Sequence, residues 1–284
     1  MRELERDSVE DDPTSRPSSG RTPRTLAVVG AGRLGTELAA ALRDASPKLP
    51  EGPWSVTGPH GRGYAGTGDA VVLLCVPDRE ISSAAAVVTP GPLVGHCSGA
   101  CRLDVLDPHE AFSVHPLMTV VPGRTSFANV GAAVAGSNPR ALTFAGRLAE
   151  VLEMRPTAIP EDERAAYHAA ASIASNFLIT LETAAERLAA SAELKRELLG
   201  PLVRATVENW IEVGGDQALT GPVARGDEET VAAQRAAVAQ RAPDLLPLFD
   251  ALTEATRALA SGRTEQGLAR AGSNVAPAPT RAAA

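Results

Sequence analysis

Aromatic residues, cysteines and long apolar runs are scarce in this chain of 284 residues, and each scarcity excludes a class of protein. Aromatics make up only 3% of the residues and hydrophobics 44%, so the core must be built mainly from Ala, Val and Leu. That composition suits helices and buried parallel strands better than a sandwich of sheets. No apolar run reaches the roughly 18 residues that span a bilayer, and the charged segment 1–12 does not resemble a signal peptide. We therefore expect a cytoplasmic protein without a membrane partner.

Basic runs are also missing, and the formal net charge is −7 at pH 7. An acidic chain of this kind is a poor ligand for nucleic acid, so we expect no nucleic-acid partner. The three cysteines, Cys75, Cys97 and Cys101, are too few and odd in number for a disulfide framework. Cys97 and Cys101 stand near His96, but they lack the two-residue spacing and the second ligand pair of a structural zinc site. The sequence therefore favours a protein with no bound metal.

The pattern of apolar residues divides the chain into four parts. Residues 1–22 and 262–284 carry too little apolar surface to offset the entropy of ordering, and they are predicted to be disordered tails. In residues 23–160, short apolar runs alternate with turns and helical stretches, which predicts an α/β domain with a mostly parallel sheet. From residue 161 to 261 the strand signals stop, and Ala- and Leu-rich segments predict an all-helical domain.

The individual elements follow from the same periodicities. Strands are expected over residues 26–29, 54–57, 70–76, 93–96, 112–115, 132–135 and 156–159. Helices are expected over 36–44, 140–152, 161–190, 193–213, 227–240 and 243–260. The Gly-rich link between the second and third strands is barely long enough for a crossover helix, so that helix should be stunted or absent.

A glycine turn closes the first strand and opens the first helix. Gly30 permits the tight turn, Gly32 lets a pyrophosphate approach the backbone, and Gly35 lets the helix pack closely on the strand. The free N–H groups and dipole of the helix N-terminus would then hold the anion. Because the motif follows a first strand, it predicts a Rossmann-type domain that binds a nicotinamide dinucleotide. The expected contacts are Gly30, Ala31, Gly32, Arg33, Leu34 and Gly35.

The end of the second strand indicates which dinucleotide is bound. An Asp or Glu there would bind the ribose hydroxyls of NAD, but this sequence has Thr57 to Arg62 without a carboxylate. His60 and Arg62 are candidates for pairing with a 2′-phosphate; the alternative is that Arg62 is a solvated loop residue. We therefore predict NADP, with NAD possible. Val76 and Pro77, after the third strand, should line the binding site of the nicotinamide ribose.

Two further strand ends point to the same crevice and supply candidate catalytic groups. Ser98 follows the fourth strand and His115 lies at the end of the fifth. A hydride donor needs a partner that polarises a carbonyl and supplies a proton, and a histidine with an ordinary pKa near 6.5 suits that role. The alternative is a buried histidine satisfied by backbone groups. We favour a catalytic His115 with Ser98 beside it.

Polar residues also form a stripe on the first long helix of the second half. At about 100° per residue, His168, Ser172 and Asn176 share one side, next to an apolar seam of Ala166, Ala170, Ile173, Phe177, Leu181, Ala184 and Leu188. Buried polar groups need partners, so the stripe either bonds to neighbouring helices or lines a substrate cleft. Arg225 is a candidate clamp for a substrate carboxylate, whereas Asp227 is best explained as a helix N-cap.

With these residues in place, the chain resembles bacterial oxidoreductases that join a Rossmann-like domain to a C-terminal helical domain of unknown function. The resemblance extends to the group of 6-phosphogluconate dehydrogenase, pyrroline-5-carboxylate reductase and prephenate dehydrogenase. The matching stretches are 28–35, 73–78, 96–100, 113–117, 167–177 and 219–227. The His115-Pro116 step is similar to prephenate dehydrogenases, where the corresponding histidine bonds the reacting oxygen. The resemblance further implies a homodimer that pairs through the helical domain.

Together these observations predict an NADPH-dependent reductase of a small carboxylate-bearing carbonyl or imine, a ketopantoate-like 2-oxo acid being one guess. His115 would be the proton donor or oxyanion partner with Ser98 as helper, His168 and Asn176 complete the catalytic candidates, and Arg225 and Ser172 would contact substrate. The alternative is a non-catalytic NADP-binding sensor or scaffold protein. Hydride transfer to a deazaflavin ranks lower because few aromatic residues are available for stacking.

Overall fold

The computed structural model describes residues 24–49 and 54–273, with side chains described as far as residue 262. The predicted N-terminal tail therefore lies outside the described residues. The chain forms two compact units that divide between Ala174 and Ser175. This division falls later than the boundary after residue 160 that the loss of strand signals predicts, since the first residues of the long helix belong with the sheet.

Seven strands form one sheet in the first unit, in the order β2-β1-β3-β4-β5-β6-β7. Their bounds are β1 Arg24–Val29, β2 Trp54–His60, β3 Val71–Leu74, β4 Leu93–His96, β5 Ala111–Pro116, β6 Gly131–Gly136 and β7 Arg155–Ala158. All neighbours pair in parallel except β5 and β6, which are antiparallel. The predicted α/β architecture with a mostly parallel sheet is thus confirmed.

Helices cover both faces of this sheet. Their bounds are α1 Arg33–Ala45, α2 Asp78–Ala85 and α3 Pro139–Val151. Alternate residues of β1 and β3 face opposite ways: Leu26 and Leu73 pack in the same cluster as residues of α1 and α3, whereas Val29 and Val72 pack in the cluster that contains Ile81 of α2. Since both faces are buried, the strands read as nearly continuous apolar runs.

The link between β2 and β3, residues 61–70, contains no helix, as the Gly-rich sequence predicts. Strand β2 itself continues to His60, beyond the predicted end at Thr57. The extra residues pair with β1 through a register irregularity between Ala27 and Val29. This extension brings His60 to the same edge of the sheet as Gly30, whose N–H donates to the His60 carbonyl at 2.8 Å.

The second half of the chain is helical, as predicted. Its helices are α4 Arg164–Ser172, α5 Leu178–Ala190, α6 Gly200–Val213, α7 Gly215–Ala218, α8 Pro222–Arg225, α9 Glu228–Arg241 and α10 Leu246–Ser273. Gly214 ends α6 with a φ of 76°, and Asp227 caps α9 by accepting from the Thr230 N–H at 3.1 Å. Helix α10 runs past residue 261, where the sequence predicts a tail. No helix among the described residues is both long and apolar enough to cross a membrane.

The first long helix differs from its prediction in two ways. A π-helical turn over Ile173–Phe177 separates α4 from α5, so the expected segment 161–190 is not one regular helix. The predicted apolar seam is also not buried, because Ile173 and Phe177 are 62% and 56% exposed. Periodicity identifies the face of a helix that requires cover, but it does not say which chain supplies that cover.

Candidate functional site

The glycine turn between β1 and α1 has the geometry of an anion-binding cradle. A Cβ on Gly30, whose φ is 110°, would lie 2.4 Å from the Cys75 carbonyl oxygen, and a Cβ on Gly35 would lie 1.9 Å from the Gly30 oxygen. Only glycine fits at either position. A Cβ on Gly32 would meet nothing within 4 Å, so that backbone faces open space. The first turn of α1 contains no acidic residue and has no side-chain cap, so its N–H groups stay available to an anion.

A cavity of about 250 Å³ opens at this turn, where the strand order reverses between β1 and β3. In open parallel sheets, ligands bind at such a reversal, outside the carboxyl ends of the strands. The residues that line the cavity include seven of the predicted cofactor contacts, Gly30, Ala31, Gly32, His60, Arg62, Val76 and Pro77, together with Gly61, Cys75 and Glu80. The residues present therefore fit a bound dinucleotide, and side chains do not fill the cradle.

The two predicted partners of a 2′-phosphate lie at this cavity, and both already have contacts. Nε2 of His60 is 2.9 Å from the Thr57 hydroxyl, and the imidazole stacks on Tyr64 at 3.8 Å between ring centres. Arg62 donates twice to Glu80, from Nη2 at 2.8 Å and from Nε at 3.2 Å. The sequence prediction did not anticipate Glu80, which stands in the first turn of α2.

A second group of polar residues lies at the carboxyl ends of β4 and β5. Arg164, in the first turn of α4, is only 3% exposed. Its guanidinium donates to the Ser113 hydroxyl and, at 3.5 Å, to the Ser98 carbonyl, and it pairs with Glu161 at 2.6 Å. The second oxygen of Glu161 accepts from the Leu103 N–H at 2.8 Å. Because this buried charge is paired and hydrogen-bonded, it can hold the start of α4 against the two strand ends.

His115 lies beside that anchor and touches two residues of α4. The Tyr167 hydroxyl is 2.7 Å from Nδ1 of His115, and the two rings meet edge to face at 5.6 Å. The His168 ring centre is 6.3 Å from that of His115. Gly99 makes room for this group, since a Cβ there would lie 2.8 Å from Cε1 of His115 and 3.0 Å from Cδ2 of His168. The structure thus brings together two of the predicted catalytic residues, His115 and His168.

The surroundings of His115 keep its imidazole neutral. Burial, helped by the nearby His168 and Arg164, lowers the pKa of His115 to about 4. Burial also raises the pKa of Tyr167 above its usual value of 10. His96, fully buried in β4, has its pKa lowered to about 4 for the same reason, and its Nδ1 accepts from the Ser98 N–H at 3.2 Å. These contacts suit the structural role that the sequence predicts for His96.

The other candidates are placed as follows. The Ser98 hydroxyl is buried and accepts from the N–H groups of Ala100 and Cys101 at 3.1 and 2.9 Å, so it caps the turn after β4. Ser172 is half-buried at the end of α4. Asn176 and Arg225 are exposed and belong to the second unit. Arg33 and Leu34 open α1. Among the described residues, no three His, Cys, Asp or Glu side chains group as a metal site would require.

Sequence reasoning missed two residues of this site, Arg164 and Tyr167. A signal for Arg164 was present: Glu161 precedes it by three residues, a spacing at which opposite charges on a helix pair. Tyr167 carried no such signal, because its role depends on the distance of its hydroxyl from a strand far away in the sequence. Both become recognisable only when α4 is placed on the ends of β4 and β5.

Comparison with known proteins adds family and fold. Residues 130–256 match the family model described as Domain of unknown function (DUF2520). No curated protein matches the sequence. A solved structure from Bacteroides fragilis, assigned as an NADP oxidoreductase, is similar at 20% identity with a TM-score of 0.68, over 83% of this chain and 98% of its own. A Thermotoga maritima protein is similar at 24% identity and a TM-score of 0.67, over 84% and 99% of the two chains.

Pyrroline carboxylate reductase from Plasmodium falciparum, solved with NADP bound, is a more distant match. It is 14% identical with a TM-score of 0.51, over 84% of this chain and 98% of its own. At such identities the likeness extends to the fold, a Rossmann-like sheet followed by helices. Residues 130–256 therefore match the DUF2520 model, and the chain shares the two-part fold of these solved structures.

Proposed function

We propose that the chain is an NADPH-dependent reductase of a small carbonyl or imine compound. The observation that carries the proposal is the open glycine cradle at the strand-order reversal, with the His115–Tyr167 pair on the same edge of the sheet. From β1 to β5 the sheet spans three strand spacings, roughly 14 Å. A dinucleotide whose pyrophosphate lies on the α1 N-terminus can extend along this edge, past Val76 and Pro77, toward His115.

The cofactor side of the proposal rests on this chain's own backbone. The N–H groups at the start of α1, from Gly32 onward, would hold the pyrophosphate, with Ala31, Arg33 and Leu34 around it. Arg62 and His60, at the end of β2, would face the 2′-phosphate of NADP. When bound, the reduced nicotinamide supplies the hydride that adds to the substrate carbon.

His115 would act on the substrate atom that gains electrons as that hydride arrives. The Tyr167 hydroxyl donates to Nδ1 of the neutral imidazole, so the single ring proton stands on Nε2 and can donate to a carbonyl oxygen or imine nitrogen. As the Nε2 proton passes to the substrate, the phenol proton passes to Nδ1. The imidazole then stays neutral, and the phenolate of Tyr167 recovers its proton from solvent. The relay lets a neutral imidazole act as the proton donor that the sequence predicts for His115.

The remaining candidates have supporting parts in the proposal. His168 lies beside His115 and would border the substrate. Ser98 would help by holding the turn after β4 in place, because its hydroxyl already accepts hydrogen bonds from two backbone N–H groups of that turn. Ser172 would contact a carboxylate-bearing substrate, whereas Asn176 and Arg225, which belong to the second unit, stay predictions from the sequence alone. A 2-oxo acid related to ketopantoate is the first compound to try.

Two measurements test the proposed function. Fluorescence titration and thermal unfolding with NADPH and NADH should show binding and a rise in Tm that grows with ligand concentration. A panel of 2-oxo acids and cyclic imines should then reveal a compound that consumes NADPH, and His115→Asn should slow that reaction while NADPH binding persists. If neither nucleotide shifts the Tm, the proposal fails. If NADPH binds but no compound is reduced, a sensor or scaffold role replaces it.

We further propose that the protein is a homodimer held through its helical unit. Large apolar side chains on α5 and α6 are exposed in the single chain: Ile179 at 66%, Leu202 at 66%, Trp210 at 59% and Ile211 at 68%. Exposed large apolar side chains in this number favour an interface, and a second copy is the partner that the resemblance implies. Light scattering should give twice the chain mass, and Ile211→Asp should give monomers. Val121→Asp, which alters an exposed apolar residue of the first unit, is the matched control; a wild-type monomer would overturn the proposal.

A further inference from the structure

The Arg62–Glu80 ion pair connects two strand ends across the proposed cofactor site. Arg62 follows β2, and Glu80 stands in α2, which follows β3. Strand β1 lies between β2 and β3, so the pair spans the edge of the sheet in front of the glycine turn. Its two hydrogen bonds, 2.8 and 3.2 Å long, hold the guanidinium in a forked geometry that a phosphate could equally accept.

The same two residues stand where two cavities meet. The cavity at the glycine turn measures about 250 Å³. A neighbouring cavity of about 370 Å³ is walled by Val29, Tyr64, Val76, Ala84 and Val87, with Gly63, Ser83, Arg62 and Glu80. Arg62, Val76 and Glu80 line both. The passage from the phosphate cradle into the neighbouring cavity therefore runs beside this guanidinium and this carboxylate.

These two charges favour opposite ligands at the passage. A guanidinium favours the 2′-phosphate of NADP, whereas a carboxylate repels that phosphate and accepts hydrogen bonds from the free ribose hydroxyls of NAD. In the pair as it stands, each charge is largely neutralised by the other. The choice between the two nucleotides would then depend on how easily the guanidinium leaves the carboxylate.

We propose that Glu80 sets the NADP-to-NAD preference of this protein by competing with the 2′-phosphate for Arg62. This inference rests on the proposed function, since it requires a dinucleotide on the glycine turn. When NADP binds, the guanidinium turns from the carboxylate to the phosphate, and Glu80 is left as an unpaired negative charge nearby. When NAD binds, the pair stays closed and Glu80 faces the ribose hydroxyls. The native chain therefore distinguishes the two nucleotides less sharply than Arg62 alone would.

The test compares nucleotide affinities of Glu80→Gln with those of the native protein, by calorimetric titration with NADP⁺, NAD⁺ and adenosine 2′,5′-bisphosphate. Glu80→Gln should bind NADP⁺ and the bisphosphate about tenfold more tightly, a change of about 1.4 kcal/mol, and NAD⁺ no better. Arg62→Gln should bind NADP⁺ and the bisphosphate more weakly by a similar factor, and NAD⁺ no more weakly. Since exposed charges are screened by salt, both differences should shrink as ionic strength rises.

A second Arg–Glu pair supplies the control. Glu110 pairs with Arg140 at 2.7 Å, and its side chain is 28% exposed against 23% for Glu80. Glu110→Gln should leave both affinities unchanged, and matched Tm values would show that each variant folds. An NADP⁺ to NAD⁺ affinity ratio in Glu80→Gln within about twofold of the native ratio overturns the inference but not the proposed function. Failure of the native protein to bind either nucleotide overturns both.

Discussion

His115 and Tyr167 are joined by a contact of 2.7 Å between Nδ1 and the phenol oxygen, which links strand β5 to helix α4. The two residues are far apart in sequence, so the contact exists only because α4 packs on the carboxyl edge of the sheet. A phenol that donates to Nδ1 fixes the tautomer of a neutral imidazole. In the proposed reaction, this pair would decide which ring nitrogen of His115 acts on the substrate.

We predict that Tyr167→Phe removes the preference of the His115 imidazole for a single tautomer. In ¹⁵N NMR spectra of the native protein near pH 7, His115 should show a protonated Nε2 and a bare, hydrogen-bonded Nδ1. Tyr167→Phe should leave the imidazole neutral but give a mixture of tautomers. With a substrate in hand, the variant should lose about 10²-fold in kcat with little change in NADPH affinity, the size expected for a proton-transfer group.

The other tyrosine of the chain provides the NMR control. Tyr64 donates to Asp69 at 2.8 Å and has no contact with His115, so Tyr64→Phe should leave the His115 signals in place. Two results would contradict the proposed relay. One is a mixture of His115 tautomers in the native protein, and the other is a set of His115 signals that Tyr167→Phe leaves unchanged.

Gly99 is predicted to be intolerant of the smallest side chain. The added methyl of Gly99→Ala would lie 2.8 Å from Cε1 of His115, closer than real contacts allow, so the imidazole and the turn after β4 must shift. We expect a loss of about 1–3 kcal/mol in unfolding free energy, as in other overpacked sites, and displaced His115 signals. Gly146→Ala is the control, because its methyl meets nothing within 4 Å in α3 and should stabilise by about 0.5–1 kcal/mol. Equal effects of the two changes would show that Gly99 is not packed against His115.

The sequence predicted most of the sheet because buried parallel strands leave a direct pattern. Val71 to Leu74 is apolar on both faces, and strand β4 was predicted with the bounds that it has. The glycine turn could also be predicted from the sequence, because close approaches of the backbone require glycine at Gly30 and Gly35. What could not be read is side-chain contact between distant segments. The Arg62–Glu80 and His115–Tyr167 pairs depend on tertiary placement, and periodicity carries no information about it.

Arg164 is predicted to be essential for docking α4. Removing its guanidinium leaves one carboxylate oxygen of Glu161 and the Ser113 hydroxyl without this partner. Arg164→Met should therefore lower the free energy of unfolding by about 3 kcal/mol, measured as a lower midpoint of urea unfolding at unchanged slope. Arg140→Met removes an exposed pair with Glu110 and should cost less than about 1 kcal/mol. Glu161→Gln combined with Arg164→Met should recover part of the loss, whereas strictly additive effects would mean that the two side chains do not interact.

The two desolvated histidines should make the protein lose stability in mild acid. His96 and His115 have folded-state pKa values of about 4, against an ordinary value of 6.5 in the unfolded chain. Below pH 6.5 the unfolded chain therefore binds protons at these two histidines that the folded protein does not bind. The free energy of unfolding should be at its full value above pH 6.5 and should fall as the pH drops toward 4. The expected loss between pH 7.5 and 5 is about 2 kcal/mol for each histidine. Most carboxylates stay ionised over this range, so the histidines dominate the slope.

Urea unfolding at several pH values measures this slope, and His115→Gln separates the contribution of the site from that of His96. The variant should lose about half of the pH dependence, because His96 is buried in β4 independently of the Tyr167 contact. Tyr167→Phe should retain most of the pH dependence, since burial rather than the phenol is the main cause of the lowered pKa. A stability curve that is flat between pH 7.5 and 5 would mean that both imidazoles take up protons in the folded protein as readily as in the unfolded chain. The surroundings of His115 would then not enforce the neutral imidazole on which the proposed reaction depends.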